Sequence, residues 1–286
     1  MDKIDRNFVF ISGYKCSYLR YGRLTDPAIV FIHGFGANAL TFKKVLKHLK
    51  GFCCYLIDLP GHGKAEAIPK LEAYSYPLIQ EYIHNIVQAL GLKRYYLVGH
   101  SYGAAIGTIY LSMYKDEVIK SVLLDGGYHD LSYIKKYNEQ KQLEPFITSL
   151  ENICRPYFPE LKEELSEEEL ALYYQDNASY RYINEFGHRP LEVIPKLNIA
   201  APLVFYALHY APTVSSLVKK MDYQDCSILL LQSSLPLELD ELKSEMLASY
   251  QKLTHCETAK IMKSYHPVQL EQPAEVATKI QNYFSV

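Results

Sequence analysis

A serine between two glycines is the first feature of the sequence that could do chemistry. Ser101 stands midway between Gly99 and Gly103, after the apolar run 95–98 and before a stretch of small residues that predicts a helix. A G-x-S-x-G pattern between a strand and a helix predicts a sharp turn with the serine hydroxyl exposed at its apex. The first N–H groups of that helix would lie beside the serine. The pattern therefore predicts that Ser101 is a nucleophile.

A serine hydroxyl needs a base within hydrogen-bond reach before it can act as a nucleophile. The sequence has ten histidines. His266 follows the last predicted strand, 258–262, and precedes the last predicted helix, 273–284. This position places it at the same edge of a parallel sheet as Ser101. We therefore predict that His266 is the base.

Three other histidines lie near predicted strand ends. His100 is adjacent to the serine, and neighbouring side chains at a sharp turn point apart, so we expect it to pack beneath the turn. We interpret His33 and His62 as structural histidines that form hydrogen bonds around the site.

An attacked carbonyl group also needs donors for its developing oxyanion. The backbone N–H of Tyr102, at the start of the helix, is one candidate. The N–H of Phe35 is the second, because Gly34 and Gly36 on either side let this loop approach a substrate oxygen closely.

The elements that must position these residues alternate between strand and helix. This alternation predicts an α/β fold, with a mostly parallel central sheet of about eight strands and helices on both faces. Parallel strands joined by right-handed crossovers carry their carboxyl ends to one edge, where the His33 loop, Ser101 and Asp125 would meet. The predicted strands are 8–11, 16–21, 28–32, 52–57, 95–98, 118–124, 227–231 and 258–262, and the predicted helices are 38–49, 76–90, the segment after Ser101 to about 114, 239–253 and 273–284.

One long segment breaks the alternation. From about residue 128 to 222 the candidate helices are charged and amphipathic, and seven prolines divide them. We therefore predict a core domain formed by residues 1–126 and 223–286, with a helical cap inserted at 127–222.

Composition excludes several classes of function. Thirty basic residues against 32 acidic ones leave a net charge of −2, which argues against a nucleic-acid partner. The charged N-terminus argues against a secretory signal, and no stretch approaches the ~20 apolar residues of a membrane span. Scattered cysteines without metal-type spacing favour reduced thiols and a cytoplasmic location. Neither a metal nor an organic cofactor is implied, and oligomeric state cannot be read from the sequence.

Several motifs, taken together, resemble the α/β-hydrolase fold family in its capped, serine-hydrolase branch. They span nearly all of the chain outside the predicted cap, in the family's order. The resemblance implies a Ser-His-acid triad that cleaves a small carboxylic ester or related acyl compound through an acyl-enzyme, without a cofactor. The matching segments are His33-Gly34-Phe35-Gly36, Asp58-Leu59-Pro60-Gly61-His62-Gly63, Gly99-His100-Ser101-Tyr102-Gly103, and His266 followed by Leu270-Glu271-Gln272-Pro273.

The triad acid is where the sequence departs from that pattern. The family usually carries an aspartate just past the strand that follows the cap, but no acid directly follows Leu231 here. Some members place the acid after the preceding strand, which in this chain ends at Asp125. We favour Asp125, with Glu238 and Asp240 as the alternatives.

The chemistry leaves other functions open. Serine at the elbow argues against haloalkane dehalogenases and epoxide hydrolases, which resemble this family but use aspartate there. The loop at residues 33–36 lacks the Gly-Gly-Pro-Gly of many proline-iminopeptidase-like enzymes, which makes an aminopeptidase less favoured. Lactone, thioester and carbon–carbon bond hydrolysis use the same constellation. The missing acid after Leu231 also leaves open a ligand-binding relative that has lost turnover.

Overall fold

The structure, a computed structural model, describes residues 4–34, 37–66, 68, 76–128, 217–235 and 237–285. Phe35 and most of the predicted cap at 127–222 lie outside these ranges.

A single sheet runs through the described residues. Its strands are β1 (Asp5–Ile11), β2 (Tyr14–Tyr21), β3 (Ala28–Ile32), β4 (Cys53–Ile57), β5 (Tyr95–His100), β6 (Val118–Leu124), β7 (Ile228–Ser233) and β8 (Glu257–Ile261).

The order across this eight-stranded sheet is β1-β2-β4-β3-β5-β6-β7-β8. β1 and β2 form an antiparallel hairpin, and β2 pairs antiparallel with β4. Every pair from β4 to β8 is parallel. The predicted α/β fold with a mostly parallel sheet of about eight strands is therefore confirmed.

Helices cover both faces of the sheet. They are α1 (Lys43–Leu46), α2 (Tyr76–Ala89), α3 (Tyr102–Met113), α4 (Asp240–Thr254), α5 (Val268–Glu271) and α6 (Pro273–Phe284). Alternate residues of one strand enter opposite cores, because successive side chains in a strand point to opposite faces. In β3, Val30 and Ile32 pack with α2, α3 and α4, whereas Ile29 and Phe31 pack with α1, α5 and α6.

The predicted helix 38–49 differs from the observed segment. A 3₁₀ turn over Ala39–Phe42 precedes α1, and the Asn38 side chain accepts a hydrogen bond from the Leu40 N–H at 2.9 Å, as expected of an N-cap. After α1, residues 48 and 49 donate to carbonyls three residues back, so the last turn tightens instead of extending the α-helix. The side chains of Phe42, Val45, Leu46 and Leu49 are nevertheless buried.

The parallel strands carry their carboxyl ends to one edge of the sheet. Within the ranges given above, no helix is long and apolar enough to cross a membrane. The loops that follow β3, β5, β6, β7 and β8 at this edge hold the polar residues of the candidate site.

Candidate active site

The turn between β5 and α3 holds Ser101 in an unusual conformation. Its φ of 55° and ψ of −115° lie in a region that non-glycine residues rarely adopt. Such a backbone costs about 1–3 kcal/mol and persists only where its surroundings fix it. Here the Ser101 N–H donates to the Leu124 carbonyl at 2.9 Å, and the Ser101 carbonyl accepts from Ala104 and Ala105 at 3.0 and 3.1 Å. The turn thus presents the serine side chain at the sheet edge.

The glycines of the motif allow the turn to pack against β3. A Cβ on Gly103 would overlap the backbone carbonyls of Ile32 and His33, and a Cβ on Gly99 would overlap the carbonyl of Gly103. Backbone atoms cannot move aside as the end of a flexible side chain can. The glycine spacing is therefore a packing requirement of this strand–turn–helix unit.

His266 lies in the loop between β8 and α5 and contacts two of the predicted site residues. Its Nε2 is 2.7 Å from Ser101 Oγ, and its Nδ1 is 2.9 Å from Asp125 Oδ2. A carboxylate only accepts hydrogen bonds, so Nδ1 carries the proton and Nε2 is left to accept from the serine hydroxyl. The His266 side chain is 33% exposed and that of Asp125 is 1% exposed, so the base is partly open to solvent whereas the acid is shielded from it.

Asp125 stands directly after β6, with a positive φ of 41°. Its Oδ1 accepts from the Ser233 N–H at 2.9 Å and from the Tyr128 hydroxyl at 3.1 Å. Its Oδ2 accepts from Ser233 Oγ at 2.7 Å as well as from His266. Hydrogen bonds of this kind stabilise the ionised form of a buried carboxyl group.

Of the two alternative acids, one is paired with an exposed lysine and the other has a side chain that the structure does not describe. Asp240 begins α4 and forms an ion pair with Lys260 at 2.7 Å, with both side chains well exposed. The side chain of Glu238 is not among those described. Of the three candidates, Asp125 is the one that the structure places against His266.

His100 packs beneath the turn, as expected. Its Nε2 donates to the backbone carbonyl of His266 at 3.0 Å, which helps to hold the loop that carries the base. Burial, and next the nearby imidazole of His266, lower the pKa of His100 to about 3. The ring is therefore neutral near pH 7.

His33 and His62 form structural hydrogen bonds beside the site. The Nδ1 of His33 donates to the Gly34 carbonyl at 2.7 Å, and its Nε2 accepts from the Leu59 N–H at 3.0 Å. His62 Nδ1 donates to the Pro60 carbonyl at 3.0 Å. Burial lowers the pKa of His33, and burial together with the neighbouring His33 lowers that of His62 to about 3.

The expected oxyanion donors are described in part. Tyr102 is the first residue of α3 and directly follows Ser101. A Cβ on Gly34 would lie 3.1 Å from the Cβ of Ser101, so the loop after β3 passes directly beside the serine. The second expected donor, Phe35, follows in that loop but lies outside the described residues.

Sequence reasoning missed the residues that surround Asp125. Ser233 and Tyr128 contact its carboxylate, and Lys243 contacts Ser233. A signal for Lys243 was present, because this charged residue shares the buried face of α4 with Met246, Leu247 and Tyr250, three, four and seven residues later. Among the residues that the structure describes, no cluster of His, Cys, Asp and Glu side chains could hold a metal ion.

Comparison with known proteins agrees with this architecture. Residues 27–155 match the model of the α/β hydrolase fold family. The chain is 26% identical over 124 residues to Epoxide hydrolase 3 of Xenopus tropicalis, covering 42% of this chain and 34% of that protein. It is 29% identical over 121 residues to Lipase 1 of Psychrobacter immobilis, covering 42% and 38%. These alignments thus span little more than a third of the relatives' own length.

A solved structure resembles the whole chain. A hydrolase from Pseudomonas aeruginosa PA01 superposes with a TM-score of 0.75 over 99% of both chains, at 15% identity. Together with the sheet order, these matches show that the chain has the α/β hydrolase fold.

Proposed function

We propose that this protein is a serine hydrolase that cleaves a small carboxylic ester or a related acyl compound. The observation that carries the proposal is the continuous hydrogen-bonded chain Ser101–His266–Asp125, with distances of 2.7 and 2.9 Å. Nucleophile, base and orienting acid stand in the order that such chemistry needs.

The three residues divide the proposed reaction between them. Ser101 Oγ attacks the substrate carbonyl carbon while its proton passes to His266 Nε2. The resulting imidazolium is stabilised by Asp125 and then gives that proton to the leaving group, which leaves an acyl-enzyme on Ser101. A water molecule, deprotonated by His266, attacks the acyl carbon, and the imidazolium returns the proton to Ser101 Oγ as the acid is released.

The backbone N–H groups of Tyr102 and Phe35 are proposed to bind the oxyanion. The position of Tyr102 at the start of α3 and the path of the Gly34 loop beside Ser101 support this assignment. Removing one donor of this kind typically lowers kcat by about 10²–10³. We further propose that the cap predicted at 127–222 forms the substrate pocket.

The same geometry bears on the competing functions. A relative is named an epoxide hydrolase, but serine at position 101 favours acyl transfer over the aspartate-based chemistry that the family resemblance implies for such enzymes. The missing acid after Leu231 was the feature that favoured a ligand-binding relative without turnover. The hydrogen bond between Asp125 and His266 supports the presence of an acid in the site and so favours the enzyme over this alternative.

A fluorophosphonate probe tests the proposed nucleophile. We expect it to label the wild-type protein and to leave the variant Ser101→Ala unlabelled, with Ser112→Ala on α3 as a control that keeps labelling. Hydrolysis of p-nitrophenyl esters of graded chain length should fall by roughly 10⁶ in Ser101→Ala. Including a lactone and an aminoacyl amide in the panel identifies the acyl class. A folded wild-type protein that is neither labelled nor active on any of these would contradict the proposal.

A further inference from the structure

A buried lysine stands behind the carboxylate of Asp125. Lys243, on α4, is only 7% exposed. Its Nζ donates to Ser233 Oγ at 2.6 Å and to the Leu235 carbonyl at 2.9 Å. Placing an ammonium group in the protein interior is costly unless the group is hydrogen-bonded. The burial of Lys243 therefore suggests that its charge has a role in the site.

The lysine fixes the direction of the Ser233 hydroxyl. An ammonium group can only donate, so Ser233 Oγ accepts from Lys243 and must send its own proton elsewhere. Asp125 Oδ2 lies 2.7 Å from Oγ, whereas the Leu235 carbonyl lies 3.3 Å away and already accepts from Lys243. The serine proton is therefore directed to Oδ2, the oxygen that also accepts from His266 Nδ1.

We propose that Lys243 is a positioning residue of the catalytic site, which acts through Ser233 to hold the ionised carboxylate of Asp125 against His266. The inference rests on the proposed function of the Ser101–His266–Asp125 chain. In this arrangement α4 supplies a positive charge one hydroxyl group away from the triad acid, and the strand end of β7 supplies the connecting serine.

The Ser233–Lys243 pair does not itself act on a substrate. Serine and lysine can form a catalytic pair, and the contact of 2.6 Å has the geometry of one. Ser233, however, is fully buried, and its hydroxyl donates to Asp125. A substrate cannot reach this hydroxyl, so the pair serves to orient the acid.

The charges around Lys243 set the pH range over which it can act. Asp125 faces it from the end of β6, Asp240 from its own helix and Lys260 from β8. Burial lowers the pKa of Lys243 below its usual 10.5, although Asp125 and Asp240 oppose the shift. Because a lysine loses its charge above its pKa, activity should begin to decline at a pH below 10.5.

The variant Lys243→Met removes the ammonium group and keeps most of the side-chain volume. We expect kcat to fall by about 10- to 100-fold, the range seen when a partner that orients a metal ligand is removed, with KM unchanged. The alkaline decline due to Lys243 should also disappear. Lys252→Met, an exposed lysine of the same helix, is the matched control and should keep the wild-type kcat and pH profile.

The variant Ser233→Ala removes the hydroxyl group that connects Lys243 to Asp125. It should reproduce the fall in kcat and the loss of the alkaline decline, and the double variant should be no slower than either single one, because both changes remove one pathway. Lys243→Arg, whose guanidinium stays charged, should recover part of kcat and move the decline to higher pH.

The outcomes separate the inference from the proposed function. Wild-type kcat and pH profile in Lys243→Met, alongside an inactive Ser101→Ala, would overturn the role of Lys243 and leave the triad standing. If Lys243→Met fails to fold, the same result in Ser233→Ala overturns it. The proton resonance of His266 Nδ1–H needs no substrate: it should shift in both variants, and an unchanged resonance would also refute the inference.

Discussion

At the scale of single residues, the site depends on which acid faces His266. The hydrogen bond of 2.9 Å to Asp125 fixes the tautomer that leaves Nε2 free to accept from Ser101. An amide in place of the carboxylate can keep the contact by donating its N–H to Nδ1, which forces the proton onto Nε2. The base would then face the serine with a donor instead of an acceptor.

The variant Asp125→Asn should therefore lower kcat by roughly 10⁴ while KM changes little. Hydrolysis of a p-nitrophenyl ester measures both constants, and circular dichroism checks folding. Asp240→Asn, at the exposed ion pair with Lys260, serves as the control and should stay within a few-fold of wild type. The assignment is wrong if Asp125→Asn keeps its kcat and Glu238→Gln loses it by orders of magnitude.

The sequence alone predicts Ser101 and His266 but leaves the choice of the acid open. Ser101 and His266 follow from local patterns, since a glycine-flanked turn and a loop between the last strand and helix can both be read along the chain. The choice among Asp125, Glu238 and Asp240 could not be made in this way. It depends on how far each strand reaches past its neighbour, and on the 108 residues that separate Asp125 from its partner Ser233.

At the scale of elements, α3 has two glycines near its start that pack against different kinds of atoms. A Cβ on Gly103 would overlap backbone carbonyls of β3 and the following residue. A Cβ on Gly107, one turn later, would lie 3.1 Å from a terminal carbon of Leu123 and 3.4 Å from one of Leu97. Those side-chain ends can move, whereas the backbone of β3 cannot.

Gly103→Ala should therefore destabilise the protein by about 3 kcal/mol or more, the upper range for overpacking. In Gly107→Ala, the gain in helix propensity of about 1 kcal/mol offsets the crowding, and stability should stay close to wild type. Urea denaturation followed by circular dichroism gives both free energies of unfolding. Equal losses in the two variants would show that the contact with β3 does not set the glycine requirement.

Most elements were predictable because their patterns are strong. The continuous apolar runs of β3 and β7 are typical of strands buried on both faces, and the structure buries them in two cores. The segment 38–49 was harder. Its apolar spacing fits a helix, but the hydrogen bonds switch between 3₁₀ and α patterns, which side-chain periodicity does not report.

At the scale of the whole molecule, neutral histidines are buried where the loops of the sheet edge meet. His33 and His62 lie with ring centroids 5.2 Å apart, and His100 lies beneath the Ser101 turn. Burial lowers the pKa of all three, to about 3 for His62 and His100. An unfolded chain would expose them with pKa values near 6.5. The pH dependence of folding follows from this difference.

As the pH falls below about 6.5, these histidines bind protons in the unfolded state but not in the folded state. The free energy of unfolding must therefore decrease. The stabilisation is fully present above pH 6.5 and is lost progressively toward pH 3. Each such histidine contributes a slope of roughly 1.4 kcal/mol per pH unit in that window.

The variant His62→Asn keeps a donor for the Pro60 carbonyl but does not titrate. The pH dependence of its free energy of unfolding should therefore be shallower than that of the wild type by about 1.4 kcal/mol per pH unit between pH 6.5 and 4.5. His48→Asn, at an exposed position, should keep the wild-type slope. Urea unfolding at a series of pH values measures all three proteins, and parallel curves for wild type and His62→Asn would show that His62 takes up its proton in the folded state.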